Sequence, residues 1–285
     1  MPTPRRFTLE ELVIGDVPEA WERAGFAVWS PDATPSDARW ADGLFTDVPV
    51  GTLGSVFVGG IRINLVGHDG PGGIEGWRLA WSGQGSGSGS ANSGDDASVS
   101  LPHNLDGLPT TWRHTPDHPS TDGQPAADSA AYQPFDSADR SRLAIHPNGA
   151  TAIDHVVVMT PDVDRTIDAA EAIGLRVRRT VDTEANGVAM RQTFFVLGTA
   201  LMELVGPLEP TGEDPSVFFG LAVSTPKLPG LDKIIGDGLG EARPAVQPGR
   251  AVRSVKAAAL GLSFPMLFMS PRPETLSREQ RRHAR

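Results

Sequence analysis

The feature that most constrains this chain is a strand-helix-strand-strand-strand order between residues 153 and 205. Residues 153–159 are a β-branched run that reads as a strand. Thr160 then stands as the expected helix N-cap. Pro161 suits the first helical turn, and Asp162 and Asp164 suit its positive end. Val163, Ile167 and Ala170 recur at helical spacing, and Gly174 stands where a left-handed residue ends a helix. Residues 175–180, 190–197 and 200–205 read as three strands, the last two joined by a tight turn at Gly198-Thr199.

The same order recurs on both sides. Upstream, 9–14 is a strand and 17–24 a helix, with Asp16 at its cap and Gly25 at its stop. Residues 26–29, 54–58 and 61–66 complete that copy around a loop insertion at 30–51. Downstream, 218–224 is a strand, 228–235 a helix, and 245–246, 251–256 and 262–269 the remaining strands. Leu65-Val66-Gly67 and Leu204-Val205-Gly206 coincide when the first two copies are aligned. One βαβββ sheet cannot cover its own apolar face, and a second copy can. The expectation is an α+β fold of paired βαβββ modules forming a cupped mixed sheet. The short connection between the second and third copies favours pairing of those two. The first copy is then an extra flank, or pairs with another chain in a homodimer.

Between the repeats, residues 82–143 read as a largely disordered Gly/Ser/Pro-rich linker. The run GQGSGSGSANSGDDAS cannot bury enough apolar surface to offset its chain entropy. Within it, LDGLPTTW (residues 105–112) is the one segment suited to docking on a folded part. The expected division is therefore an N-terminal module at 7–81, the linker, a domain at 144–271 built of modules 151–207 and 217–271, and a basic tail at 272–285. The formal charge of −10 argues against a nucleic-acid partner, and no apolar run is long enough to span a membrane. The chain has no cysteine, which removes disulfides and thiolate chemistry together and accords with a cytoplasmic setting.

Two strand side chains carry the chemistry. Alternation places His155 with Ile153 and Val157, and Glu203 with Leu201 and Val205. An imidazole and a carboxylate on apolar faces need partners. They can pair with each other, hold a polar ligand, or bind a divalent ion such as Zn, Ni, Fe(II) or Mn. Alignment of the first copy puts Glu11 and Asn64 at the equivalent positions. In the third copy these are about Gly220 and Leu267, which cannot ligate. A site from copies one and two would be Glu11, Asn64, His155 and Glu203. Copies two and three alone supply only two ligands, too few for a metal catalyst.

The runs IDHVVV (153–158) and LMELVGP (201–207) resemble the first and last strands of a vicinal-oxygen-chelate module. That superfamily includes glyoxalase I, extradiol dioxygenases and bleomycin-resistance proteins. In its metal-dependent members, the first-strand His and last-strand Glu bind a divalent ion inside a cupped sheet. The resemblance covers residues 150–207 well, and 7–67 and 217–271 loosely. It implies a glyoxalase-like protein that takes a small oxygenated molecule. One version is metal-dependent isomerase, lyase or epimerase chemistry, with Glu203 or Glu11 as ligand or catalytic base. The other is metal-free sequestration of a small ligand. A third reading makes the linker the active feature of a scaffold protein. The extradiol pattern, two His and a carboxylate, is disfavoured by the single strand histidine.

Gln192 and Phe194, alternating with Met190 along one strand, could line the ligand site, and core packing competes for Met190 and Phe194. Arg250 or Arg253 could clamp a substrate carboxylate, against a plain surface turn. His146, before a Pro-Asn-Gly turn, reads as a turn residue more than a site residue. Gly236, Gly238 and Gly240 follow a helix rather than a strand and read as a loop.

Overall fold

The computed structural model describes residues 5–30, 49–67, 72–83, 101–115, 145–185 and 187–272. The first part of the chain forms β1 (Arg6–Ile14), α1 (Pro18–Arg23), β2 (Gly54–Val58), β3 (Ile61–Leu65), β4 (Ile74–Ser82), β5 (Asn104–Leu105) and β6 (Leu108–His114). The next part forms β7 (Ala152–Met159), α2 (Val163–Ala172), β8 (Val177–Ala185), β9 (Val188–Leu197) and β10 (Ala200–Pro207). The last forms β11 (Val217–Ser224), α3 (Asp232–Ile235), β12 (Leu239–Pro244), β13 (Ala251–Val255), α4 (Ala257–Leu260) and β14 (Met266–Met269). The fold is α+β, built of βαβββ modules in mixed sheets. It divides into two compact units, one drawn from Met1–Glu10, Gly76–Pro134 and Val158–Val217, the other from Glu11–Glu75, Phe135–Val157 and Phe218–Arg285.

The first unit contains the strand order β10-β9-β8, antiparallel throughout. Along β10, Ala200, Met202, Leu204 and Gly206 are buried and their alternates are half-buried, as a one-sided strand requires. Helix α2 also turns inward, with Val163, Thr166 and Ala170 buried. Gly206 permits close approach of its N-terminal turn: a Cβ there would lie 2.6 Å from the Thr160 carbonyl oxygen and from Val163 Cγ2. The N-cap is Asp162, whose carboxylate accepts from Arg165 N at 3.0 Å, and not Thr160 as the sequence suggests. Thr160 turns its hydroxyl to that of Thr166, 2.8 Å away, and so joins a buried hydroxyl cluster instead.

Residues 101–115, inside the stretch read as a linker, are strand; the flanking 84–100 and 116–143 lie outside the described residues. β6 pairs in parallel with β4, with Trp77 opposite Thr110, and β5 pairs antiparallel with β6. Leu105 and Leu108 are fully buried, and Trp77 Nε1 donates to Thr110 Oγ1 at 2.8 Å. Asp106 (φ 49°) and Gly107 (φ 99°) form the turn between the two strands. Asp106 is fastened to the start of α2: it accepts from Arg165 Nε (2.8 Å) and Ser216 Oγ (2.7 Å). Three polar side chains, Arg165 and Thr166 of α2 and Ser216 before β11, thus hold a turn that composition marks as disorder. Strand β4 had no counterpart in the sequence reading.

The second unit contains the orders β2-β3-β1 and β12-β13-β14-β11-β7. β1 and β3 are parallel; β2 and β3 are antiparallel. Within this unit β11 neighbours β7. The first copy packs on the third here. Arg23 Nε of α1 donates to Leu260 O at 2.9 Å, and Asp16 accepts from Trp21 Nε1 (3.1 Å) and Ser263 N (2.9 Å). Trp21, Phe26, Phe264 and Phe268 form the aromatic core, with ring centroids 4.8 to 6.4 Å apart.

Four elements differ from expectation. The strand expected at 262–269 begins only at Met266. The strand at 26–29 shrinks to one bridge between Trp29 and Ser55. The helix at 228–235 is broken into a 3₁₀ turn, Leu228–Gly230, and α3, since Pro229-Gly230 interrupts it. The strand placed at 245–246 lies earlier, as β12, where Leu239 through Pro244 can pair with β13. No helix among the described residues is long and apolar enough to cross a membrane.

Candidate functional site

In the first unit, the half-buried side of β9 and β10 brings three of the candidate residues together. Glu203 lies directly opposite Phe194, and Val205 opposite Gln192. Opposed residues in an antiparallel pair hold their Cβ atoms about 4.5–5.5 Å apart, so a carboxylate, a ring and an amide adjoin. Leu201 and Val205 flank Glu203 on β10, and Val196, opposite Leu201, is 38% exposed. The opposite side of the same strands, with Thr193, Phe195, Met202 and Leu204, is buried. Gln192, Phe194 and Glu203 therefore belong to the partly exposed side of these strands.

In the second unit, Glu11 and Asn64 also converge. The parallel register sets Glu11 beside Arg62, and Asn64 follows Arg62 on the same side of β3. Arg62 Nη2 donates to Glu11 Oε1, and Asn64 Nδ2 donates to Glu11 Oε2 at 3.4 Å. Asn64 Oδ1 accepts from Ser55 Oγ at 3.2 Å. All four residues are at least nine-tenths buried.

His155 is buried in the second unit, where its Nδ1 lies 3.1 Å from Asp154 Oδ1. Asp154 is a hub. Its Oδ2 accepts from Arg250 Nη2 (2.6 Å) and Ser224 Oγ (3.2 Å), and Arg272 Nη2 stands 3.5 Å from Oδ1. Burial pushes the Asp154 carboxyl up, but the hydrogen bonds from His155 and Arg250, with the charges of Arg250 and Arg272, hold it well below the usual carboxylate range. Arg250 is not a surface clamp. It is buried, donates through Nε to Ser270 O at 2.8 Å, and pairs with Gln247 Oε1. Arg253 pairs with Asp232 at 2.8 Å. The sequence reading missed Asp154 and Arg62. The available signal was a charge inside an apolar strand, in IDHVVV and IRINL, which demands a buried partner.

A divalent ion implied by the resemblance does not fit the Glu11–Asn64 pair. The Glu11 carboxylate already carries a guanidinium, and the Asn64 amide oxygen, the atom that would ligate, faces Ser55. At His155 the Nδ1 side meets Asp154, a contact of the kind that orients a ligating imidazole and so does not count against a metal at Nε2. Among the described residues, no group of three or more His, Asp or Glu is placed to hold a metal ion. His146 belongs to the packing: Nδ1 accepts from Ala27 N at 3.1 Å, so Nε2 carries the proton donated to Phe57 O at 2.8 Å.

No protein-family model and no curated protein matches this sequence. Solved structures do match. Catechol 2,3-dioxygenase aligns over 95% of this chain and 94% of its own, at 12% identity and TM-score 0.50. A variant of homoprotocatechuate 2,3-dioxygenase from Brevibacterium fuscum aligns over 95% and 72%, at 12% identity and TM-score 0.51. A xylose isomerase-like TIM barrel/4-hydroxyphenylpyruvate dioxygenase fusion protein aligns over 99% of this chain and 53% of its own, at 11% identity and TM-score 0.53. The fold is glyoxalase-like. More narrowly, nearly the whole chain follows the fold of two catechol-type dioxygenases; identities of 12% carry the likeness no further than fold.

Proposed function

We propose that this protein binds a small oxygenated molecule, with Glu203, Gln192 and Phe194 as its contacts on β9 and β10. The observation that carries this reading is the cross-strand arrangement of those three side chains on a half-buried surface with Leu201 and Val205, where Arg179 of β8 stands opposite Phe194. An ionised Glu accepts hydrogen bonds from hydroxyl groups, Gln both donates and accepts, and Phe offers its face to a ring. A few polar groups among apolar ones is the usual make-up of a small-molecule site. Glu203 is also the residue there that can take a proton, so isomerase or lyase chemistry would run through its carboxylate.

The likeness to catechol 2,3-dioxygenase and to the 4-hydroxyphenylpyruvate dioxygenase fusion protein makes catechol and 4-hydroxyphenylpyruvate suitable probes. Calorimetric titration of the full chain with each should give saturable binding to at least one. Glu203→Gln and Phe194→Ala should each weaken it about tenfold, as expected for loss of roughly 1.4 kcal/mol, with unchanged circular dichroism. Failure of both probes to bind, or binding indifferent to both substitutions, overturns the reading.

A further inference from the structure

We infer that Arg62 is a fixed cation at the Glu11–Asn64 position, and that it makes this position refractory to divalent metal ions. By alignment of the repeats, Glu11 and Asn64 fall on His155 and Glu203, the pair that the superfamily resemblance marks as ligands. The structure does bring Glu11 and Asn64 together, on neighbouring strands and facing each other. The positive charge between them is a side chain. Arg62 sits directly opposite Glu11 in the β1–β3 register, and its side chain is 11% exposed against 9% for Glu11.

Three features exclude a metal here. Each Glu11 oxygen already accepts a hydrogen bond, one from Arg62 and one from Asn64. The Asn64 amide is oriented with its nitrogen toward Glu11 and its oxygen toward the Ser55 hydroxyl, so it offers no ligating atom to that carboxylate. An incoming divalent ion would share Glu11 with a guanidinium in a site removed from water, where like charges repel strongly. A guanidinium instead matches the planar carboxylate and needs no exchange with solvent ions.

The test is a double-mutant cycle on the full chain with thermal midpoints as readout, using Arg62→Met, Glu11→Gln and the pair combined. Wild type should show the same midpoint with and without millimolar MnCl2 or ZnCl2, and no stoichiometric metal by elemental analysis. Arg62→Met takes the guanidinium away from the buried Glu11 carboxylate, so its midpoint should fall by several degrees or the chain should fail to fold. The charge-free double variant should fold and recover most of that loss. Where Arg62→Met folds, low millimolar guanidinium should raise its midpoint and leave wild type and the double variant unmoved. Stoichiometric metal in wild type that Glu11→Gln removes would overturn the inference. So would a double variant as impaired as Arg62→Met. Neither readout involves the β9–β10 residues, so failure here is separable from failure of the proposed ligand site.

Discussion

Asp154 Oδ2 lies 2.6 Å from Arg250 Nη2, across 96 residues of chain, and both side chains are 2% exposed. The pair joins the first strand of the second copy to the turn that opens β13 in the third. Replacing one partner strands a buried charge, whereas replacing both removes it.

Arg250→Met should therefore cost about 3–5 kcal/mol of unfolding free energy, and the combined Asp154→Asn/Arg250→Met variant distinctly less. Denaturant titration measures both. The sign of the acid response follows from the depressed Asp154 carboxyl. Its contribution is present above the unfolded value, about 3.9, and is lost as pH falls below it. Wild type should lose stability more steeply below pH ~4 than the double variant.

His146 should give the opposite end of the working pH range its own dependence. Burial lowers its pKa, outweighing the raising effect of its bond to Phe57, and the neutral ring is required because Nδ1 accepts from Ala27. The unfolded chain takes up the proton first, from about pH 6.5 downward, so this contribution holds above that value and fades below it. The slope is at most ~1.4 kcal/mol per pH unit. Urea midpoints between about pH 7.5 and 5 should fall more in wild type than in His146→Gln, which keeps one donor and one acceptor.

Asp106 is the pin between the β5–β6 turn and helix α2. Asp106→Ala removes the acceptor from Arg165, Thr166 and Ser216 together and should destabilise the chain by roughly 2–4 kcal/mol, at 1–3 kcal/mol for each buried donor left partly unsatisfied. Gly107→Ala should be comparably damaging, because φ is +99° and the added Cβ would meet Pro215 and Ser216. Hydrogen exchange is the discriminating measurement. Amides of β6 should lose protection before those of β9 and β10; uniform loss would show that the hairpin is not held independently.

Gly206→Val should push α2 off β10, because even a Cβ would lie 2.6 Å from Val163 Cγ2 and the Thr160 carbonyl oxygen. Overpacking of this kind typically costs about 1–3 kcal/mol. A raised or unchanged thermal midpoint would contradict the close approach.

The residues 153–207 show what was legible. Their β-branched runs, the apolar helical spacing and Gly174, at φ +100°, are local signals, and the module appears where they place it. The third copy was legible in order and misplaced in register, because its helix is interrupted at Pro229-Gly230 and its shorter strands carry little periodicity. Strands β4 and β5–β6 were not recognised as such. β6 pairs with β4 from 33 residues away, as Trp77 and Thr110 illustrate, and no local pattern reports such a partner.

The candidate site divides the same way. Alternation along single strands, a local property of the extended chain, sufficed to place Glu203 beside Leu201 and Val205, and Gln192 in line with Phe194. Which charges cancel which was decided by tertiary structure alone: Arg62 opposite Glu11, and Arg250 on Asp154. A buried ion needs a counter-ion within a few ångströms, and the residue that supplies it is set by strand register and packing, which bring together positions 51 and 96 apart in sequence. The chain's order of elements thus announced its glyoxalase-like fold, while the pairing of Glu11 with Arg62 came only with the assembled sheet.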